Sequence, residues 1–454
     1  MASKRDLQRK MLSFGVELEF YIFVTQDKSS TFRPLGFESH PGNPLIVDGR
    51  IDSEEIRKDL ALRINNLLRD APVATVLSKN NRDIDIEGDE EWNHLRPYRI
   101  WQVKDEISMQ DLPIELARLN NERSEWVAVE VVSPALWATD EGFDQVRRVC
   151  EFLQNTFLTS TLTECGLHIH VGQGNNWLPI TLLRRMAAFL YAADPILAQS
   201  HPVYRRNDTL YCLSTRLYSN VTLGMKNSHA PEQPSQVDEL QEISLVAPRG
   251  WKGLAGNVAR LSRPMNSYSR TEDNFPPRPN TPSYIADPIY IESTLGDLKR
   301  SFGINQNLRD FSPTPMLEAV AEILQTTNRR NLSILLGSHI NRSAYSFQQL
   351  SWERKRTIEF RQPTGTVDPA EVVSQARIAV RLCEFAATAT HEEFQKMILD
   401  FASADEDPSW FDVYDLLIEL GLRPEARIVH AALTGTMSNS IRDRYFESRR
   451  YERL

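Results

Sequence analysis

Residues 12–25 read LSFGVELEFYIFVT, a run rich in β-branched and aromatic residues in which polar and apolar residues loosely alternate. Such a run predicts a β-strand that is buried on at least one face. Because successive side chains of a strand point to opposite faces, Glu17 and Glu19 project from one face and Val16 and Leu18 from the other. The sequence therefore predicts an apolar strand face backed by two carboxylates spaced about 7 Å along the chain.

Two interpretations of this carboxylate pair are open. Neighbouring carboxylates repel each other unless a cation lies between them, and hard cations such as Mg²⁺ prefer carboxylate oxygens. The alternative is a solvated strand face whose acids point at water. Taken alone, the pair favours the solvated alternative, because paired acids on strands are common.

The rest of the chain indicates clustered strands with helices between them. Strands are predicted at 72–79, 98–104, 126–134, 166–172, 333–340, 345–349 and 355–361, and helices at 53–70, 141–160, 178–199, 370–389, 391–402, 409–420 and 423–433. This order lacks a regular βαβ rhythm, so we predict an α+β fold with a mainly antiparallel sheet. Residues 226–290 are rich in Pro, Ser, Asn and Arg, which predicts a long insertion.

Composition narrows the class of protein. The chain has 454 residues, 41% of them hydrophobic, and 52 Lys and Arg against 61 Asp and Glu give a net charge of −9. Such a charge argues against a nucleic-acid partner, which needs a basic surface. No apolar run approaches the length of a membrane span, and no secretory signal precedes the first strand. With no CxxC pair among four cysteines, we expect reduced thiols and a cytoplasmic location.

A second motif is CGLHIHVG, residues 165–172. On a strand, His168 and His170 share one face, and Gly166 and Gly172 at its ends allow close approach of a ligand or another backbone. Two histidines at this spacing suit a metal ion, a phosphate or a base. Two half-exposed surface histidines are the alternative.

A third motif is RTIEFRQPTGTVD, which begins at Arg356. Glu359 and Arg361 share one face of the predicted strand, either as a surface ion pair or as a metal ligand beside a phosphate-binding guanidinium. Gly365 and Thr366 are predicted to form a turn whose backbone amides help hold an anion.

A single carboxylate, Glu130, interrupts the apolar segment VAVEVVSP. Its burial costs free energy unless it is paired or bound to metal. The neighbours on its own face, Ala128 and Val132, are small and apolar, which favours a functional carboxylate over a solvated one.

Together these segments resemble the amidoligase family of fungi and bacteria, within the glutamine synthetase and glutamate–cysteine ligase superfamily. The resemblance is carried by GVELEF, VEVVSP, CGLHIHVG and RTIEFRQPTGT, together with YRIWQVKD (98–105) and HPVYRRN (201–207). These blocks occur in the family's order between about residues 12 and 390.

The resemblance implies a curved, mainly antiparallel sheet that forms a funnel, with helices outside it, ATP at one mouth and substrates at the other. It implies one catalytic domain over residues 1–454, with the insertion at 226–290 and a helical C-terminal region at 391–454. It also implies a metal site for Mg²⁺ or Mn²⁺ formed by Glu17, Glu19, Glu130, His168 and Glu359.

Other roles follow from the same resemblance. His170, Arg356 and Arg361 are expected to contact the nucleotide, and Arg361 with Arg205 and Arg206 to neutralise the transferred phosphoryl group. The sequence departs from the family after the YRIWQVK strand, where Ser108 follows Asp105 one place later than usual.

The implied activity is an ATP-dependent carboxylate–amine ligase that forms an amide through an acyl phosphate. Its substrates would be a small-molecule or peptide carboxylate and an amine, while the oligomeric state stays open. Two alternatives remain: a guanidino-kinase-like phosphotransferase, and a non-catalytic binding protein on a ligase scaffold.

Overall fold

The computed structural model describes residues 12–28, 34, 36–69, 75–76, 98–109, 111–206, 211–229, 273–280, 287–351 and 355–451. Residue contacts divide the chain into two compact units. The first comprises Met1–Asn175 with Pro363–Arg377, and the second Asn176–Gln362 with Ile378–Leu454. The single catalytic domain inferred from the sequence stays a prediction.

Strands and helices are both abundant in the described residues. The strands are β1 (Ser13–Thr25), β2 (Leu45–Ile46), β3 (Gln102–Lys104), β4 (Ser124–Val132), β5 (Leu136–Trp137), β6 (Thr159–Ser160), β7 (Leu167–Gly172), β8 (Tyr345–Ser346) and β9 (Ile358–Phe360). The α-helices are α1 (Ser53–Leu67), α2 (Ile114–Ala117), α3 (Asp140–Thr156), α4 (Ile180–Ala198), α5 (Thr215–Tyr218), α6 (Pro288–Phe302), α7 (Met316–Leu324), α8 (Arg329–Leu335), α9 (Pro369–Thr388), α10 (His391–Glu406), α11 (Val413–Glu419), α12 (Arg423–Thr434) and α13 (Asn439–Tyr451). This composition confirms the α+β class.

The first unit is built on a large, mainly antiparallel sheet. Its strands follow the order β3-β4-β1-β7, and each neighbouring pair is antiparallel. The central strand β1 also pairs with β5 and β6 antiparallel and with β2 parallel. No described pairing joins β3 to β7, so the sheet of this unit is open. A funnel shape stays a prediction.

One face of this sheet is apolar. Side chains from three strands cover it: Val16, Leu18 and Phe20 of β1, Val129 and Val131 of β4, and Leu167, Ile169 and Val171 of β7, all buried. Helix α3 supplies further buried side chains, and the ring of Phe143 stacks on Phe14 with centroids 4.6 Å apart. The side chain of Thr139 caps this helix by accepting a hydrogen bond from Gly142.

The opposite face changes character along β1. Its first part carries Glu17 and Glu19, whereas Tyr21 and Phe23 further along belong to a buried apolar cluster with Trp126. The phenol of Tyr21 donates a hydrogen bond to Glu164, at 2.9 Å. The polar part of this face is therefore closed at one end by packed aromatic side chains.

The second unit is mostly helical. Helix α4 is buried along most of its length, and Phe189 within it contacts the rings of Phe385, Phe394 and Phe401. The short strands β8 and β9 pair antiparallel, with Ser346 opposite Glu359.

Most predicted elements are confirmed, with adjusted ends. The strand predicted at 333–340 is wrong, because α8 occupies Arg329–Leu335 and the side chain of Asn328 caps it by accepting from Asn331, at 2.8 Å. The apolar run after Asn331 fits a buried helix face as well as a strand, and the cap selects the helix.

Other boundaries also move. Helix α3 ends at Thr156 rather than 160, and the strand predicted at 98–104 is regular only from Gln102. The insertion predicted to reach 290 ends sooner, because Asp287 caps α6. The rest of 226–290, apart from 226–229 and 273–280, lies outside the described residues, as does most of the strand predicted at 72–79. Within the described ranges, every helix falls short of the length and apolarity that a membrane crossing requires.

Candidate active site

The sheet register brings four predicted residues of the first unit together. Glu17 of β1 lies opposite His168 of β7, and Gly15 lies opposite His170. Because alternate residues share a face, Glu17, Glu19, His168 and His170 all occupy the polar face. All four are buried, so the solvated alternatives for the acids and the histidines are wrong.

The side chains in this cluster are within a few ångströms of one another. The Nδ1 atom of His168 lies 3.5 Å from Oε2 of Glu17 and 3.6 Å from Oε1 of Glu19. The Nε2 atom of His170 lies 3.3 Å from Oε1 of Glu17. The second oxygen of Glu19 accepts a hydrogen bond from the backbone amide of Gly166, at 2.6 Å, which fixes this carboxylate.

Glu130 adds a third carboxylate to the same face. It lies opposite Glu19 in the register of β1 and β4, and opposite Lys104 in the register of β3 and β4. Burial raises the pKa of Glu130 to about 8, and the negative charge of Glu17 adds to this effect, while the charge of Lys104 opposes it. A cation at this place would relieve the same repulsion.

The donor set fits a divalent metal ion. Separations of 3.3–3.6 Å between donor atoms are long for strong hydrogen bonds. Ligand atoms that share one cation at about 2.1 Å lie roughly 3 Å apart, which is close to these separations. Carboxylate oxygens with an imidazole nitrogen suit Mg²⁺ or Mn²⁺. Simple imidazolium–carboxylate pairing is the competing explanation.

The second unit contains the other predicted carboxylate, Glu359. On β9, its Oε1 accepts from the guanidinium of Arg361, as the shared strand face predicts. Its Oε2 lies 3.4 Å from the side-chain amide of Gln349. Glu359 is buried and Arg361 is partly exposed, so this is not a surface ion pair.

Arg205 and Arg206 both donate to main-chain carbonyls. Arg205 is buried, and its guanidinium donates to the carbonyls of Arg361, at 2.9 Å, and Gln362, at 3.2 Å. Arg206 donates to the carbonyls of His201, at 2.6 Å, and Gln199, at 3.3 Å. Arg205 thus holds the backbone that carries Arg361, and the phosphoryl-neutralising role of both arginines stays a prediction.

The guanidinium of Arg356 lies over an aromatic ring. Its central carbon is 4.8 Å from the ring centroid of Trp177, and that of Arg329 is 5.0 Å from the same ring. These cation–π contacts restrict the orientation of Arg356. Sequence analysis missed Trp177, Arg329 and Gln349, since no local motif links Trp177 to the two arginines or Gln349 to Glu359.

One predicted anion contact is wrong. The backbone amide of Gly365 donates to the carbonyl of Cys165, at 2.9 Å, and is therefore not directed at an anion. A Cβ atom at position 365 would lie 2.5 Å from the Cβ of Cys165. Gly365 is needed for close packing of the two segments rather than for an anion-binding turn.

The predicted residues thus form two groups, each within its own unit. The first group is Glu17, Glu19, Glu130, His168 and His170, and the second is Arg205, Arg206, Arg356, Glu359 and Arg361. Convergence of Glu359 with the first group in one cleft stays a prediction.

Comparison with known families bears on the resemblance read from the sequence motifs. A family model described as "Putative amidoligase enzyme" matches residues 10–279, more than half of the 454 residues. The matched region includes the motifs around Glu17, Glu130 and His168, whereas the segment that contains Glu359 lies beyond it. No curated protein and no solved structure matches the chain. The chain belongs to the amidoligase family, which indicates an amide-bond ligase.

Proposed function

We propose that this protein is an ATP-dependent carboxylate–amine ligase that uses Mg²⁺ or Mn²⁺ and forms its amide through an acyl phosphate. The proposal deepens the family assignment by naming the nucleotide, the metal and the intermediate. ATP and the metal come from the resemblance and from the chemistry of the polar sheet face.

One observation carries the proposal: three carboxylates and two imidazoles are buried on one face of a sheet. Glu17 lies within 3.6 Å of both imidazoles, and the carboxylate of Glu130 is held near Glu19 by the strand register. Burying three carboxylates lowers the free energy of unfolding, so we expect these acids to serve the activity of the protein rather than its stability. Binding of a metal–triphosphate complex explains this set of side chains.

The proposed reaction has two steps. An oxygen of the substrate carboxylate attacks the γ-phosphorus of ATP, the bond to the β-phosphate oxygen breaks, and ADP leaves. The nitrogen of the amine then attacks the acyl carbon, the carbon–oxygen bond to phosphate breaks, and the amine loses a proton. The product amide and inorganic phosphate are released.

Each of the predicted side chains has a role in this scheme. Glu17, Glu19, Glu130, His168 and Glu359 would hold the divalent metal, which supplies charge neutralisation for the phosphates. His170 and Arg356 would contact the nucleotide. Arg361 would bind two oxygens of the transferred phosphoryl group through its planar fork, while Arg205 and Arg206 add positive charge.

The test is a screen of carboxylates and amines for stimulated release of ADP and phosphate. Incubation with ATP and Mn²⁺ should give phosphate release that depends on both a carboxylate and an amine. The Glu17→Gln variant should lose this activity, and the Glu122→Gln variant, altered at an exposed position of the same unit, should keep it.

The same screen separates the alternatives. Transfer of phosphate to a guanidino compound without release of inorganic phosphate would replace the ligase by a phosphotransferase. ATP turnover absent throughout a broad screen, with the fold intact, would favour the non-catalytic scaffold.

A further inference from the structure

A large cavity lies in the first unit beside the edge strand β3. It has a volume of about 890 Å³ and is bordered by α1 on one side and by residues 99–104 on the other. Small-molecule sites typically fall in this range of volumes, roughly 300–1,000 Å³. The proposed metal and nucleotide sites do not use its lining residues.

The cavity is strongly cationic. Five of the residues that line it are positively charged: Arg57, Lys58, Arg69, Arg99 and Lys104. Among the lining residues that the structure describes, Glu54 alone carries the opposite charge. In a chain with a net charge of −9, this local excess favours an anionic ligand.

Three of these cations form no ion pair with a carboxylate of the described residues. Arg57 pairs with Asp105, at 3.3 Å, and Lys58 pairs with Glu54, at 2.8 Å. In contrast, no carboxylate in the described part of the chain lies within ion-pair distance of Arg69, Arg99 or Lys104. Within the described residues, their charges are therefore not neutralised by an ion pair.

The cavity wall also offers apolar contacts and one buried donor. Leu62 is 60% exposed and Ile100 is 55% exposed, which is high for large apolar side chains. Trp101 is 2% exposed, and its indole Nε1 has no acceptor among the described residues. The exposed apolar side chains suit a ligand with an aliphatic part, whereas the indole nitrogen of Trp101 is itself enclosed by protein.

The wall chemistry favours carboxylates over phosphates. Phosphate sites commonly rely on glycine-rich loops whose backbone amides surround the anion. The described lining residues include no glycine, and the cations lie along α1, just beyond its end at Arg69, and in residues 99–104. Spaced cations suit separate carboxylates on one flexible chain.

The cavity also adjoins the acidic cluster. Lys104 lines the cavity, and the register places it opposite Glu130 on the neighbouring strand. Adjacent strands are about 4.8 Å apart. A ligand held in the cavity can therefore extend one end past Lys104 to the polar sheet face.

We propose that this cavity binds an acidic peptide or similar oligocarboxylate, the carboxylate substrate of the ligase, and that Arg69, Arg99 and Lys104 recognise its carboxylates. The assignment as substrate rests on the proposed function, whereas the binding itself does not. The reacting carboxylate lies at the Lys104 end, and the remaining carboxylates lie near Arg69 and Arg99.

The experiment measures binding of triglutamate by isothermal titration calorimetry, in EDTA and without ATP. Wild-type protein should bind triglutamate and not triglutamine. The double variant Arg69→Glu/Arg99→Glu should bind at least tenfold more weakly, because two exposed cations become anions. Arg118→Glu, an exposed arginine of the same unit away from the cavity, should leave binding unchanged.

Two results would overturn the proposal: no binding of triglutamate to the wild type, or equal binding by the double variant. Displacement of triglutamate by metal-free ATP would also overturn it, since the site would then recognise phosphate. Failure of the ligase proposal is distinguishable, because it would leave this binding intact while ATP turnover with triglutamate and amines is absent.

Discussion

Replacing Glu130 with glutamine should stabilise the metal-free protein, although it removes a native carboxylate. In the folded state, burial and the charge of Glu17 raise the pKa of Glu130 from 4.5 to about 8. The fold therefore favours the protonated carboxyl. The contribution of protonated Glu130 to the free energy of unfolding is fully present below pH 4.5 and is lost as the pH rises through 8.

The magnitude follows from this pKa. A difference of about 3.5 pKa units, at roughly 1.4 kcal/mol for each, sets an upper limit of ~5 kcal/mol above pH 8. Glutamine keeps the shape of Glu130 without the charge. We expect Glu130→Gln to raise the free energy of unfolding by about 1–3 kcal/mol at pH 8 in EDTA.

Metal should reverse the order of stability. A ligand that binds only the folded state stabilises it by about 2.7 kcal/mol at a hundred times its dissociation constant. With Mn²⁺, the wild type should gain this stability, and Glu130→Gln should lose about 1.4 kcal/mol of the gain for each tenfold loss of affinity.

The assay is urea unfolding followed by circular dichroism, at pH 8, with EDTA or Mn²⁺. Glu122→Gln, at an exposed position, should match the wild type in both conditions. A variant Glu130→Gln that is less stable than the wild type in EDTA, or that gains as much from Mn²⁺, would refute this reasoning.

Three further predictions concern the second unit. Glu359→Gln and Arg361→Lys should each reduce turnover severely while the protein stays folded, because they lose the carboxylate charge and the planar fork, respectively; a normal rate in either variant removes that residue from the proposed site. Burial and two neighbouring arginines lower the pKa of His201 to about 3, so the stability that it contributes is present above pH 6.5 and is lost as the pH falls. Between pH 6 and pH 5 the wild type should lose about 1.4 kcal/mol of its free energy of unfolding through this group, and His201→Asn should not. Urea unfolding at both pH values measures the difference, and the same loss in both proteins would contradict this reasoning. The buried side chain of Asp273 accepts from Arg423 at 2.6 Å, and Arg423 is partly exposed, so Asp273→Asn should lower the free energy of unfolding by about 1–3 kcal/mol; a change under about 0.5 kcal/mol would show that the pair is weak.

The acids and histidines of the first unit could be predicted from sequence because each pair depends only on the alternation of residues within one strand. Alternation in a strand places Glu17 beside Glu19 and His168 beside His170, and each pair needs only the period of two. Burial of these acids was less predictable, since the strands that flank β1, namely β4 and β7, lie far along the chain.

Contacts between segments far apart in the chain were the features that the sequence predicted least well. Nothing near Arg356 in sequence indicates Trp177, and nothing near Gly365 indicates that its amide donates to Cys165. The helix at Arg329–Leu335 was missed for another reason, because short apolar runs fit a strand and a buried helix equally well.

The most direct test of the ligase mechanism follows oxygen atoms. A carboxylate substrate selected by the screen is labelled with ¹⁸O in both carboxylate oxygens and incubated with ATP, amine and Mn²⁺. The acyl phosphate requires that each amide formed yields one inorganic phosphate with one ¹⁸O, visible as an upfield shift of its ³¹P resonance. Amide formation with unlabelled phosphate, or with release of AMP, would contradict the acyl-phosphate mechanism.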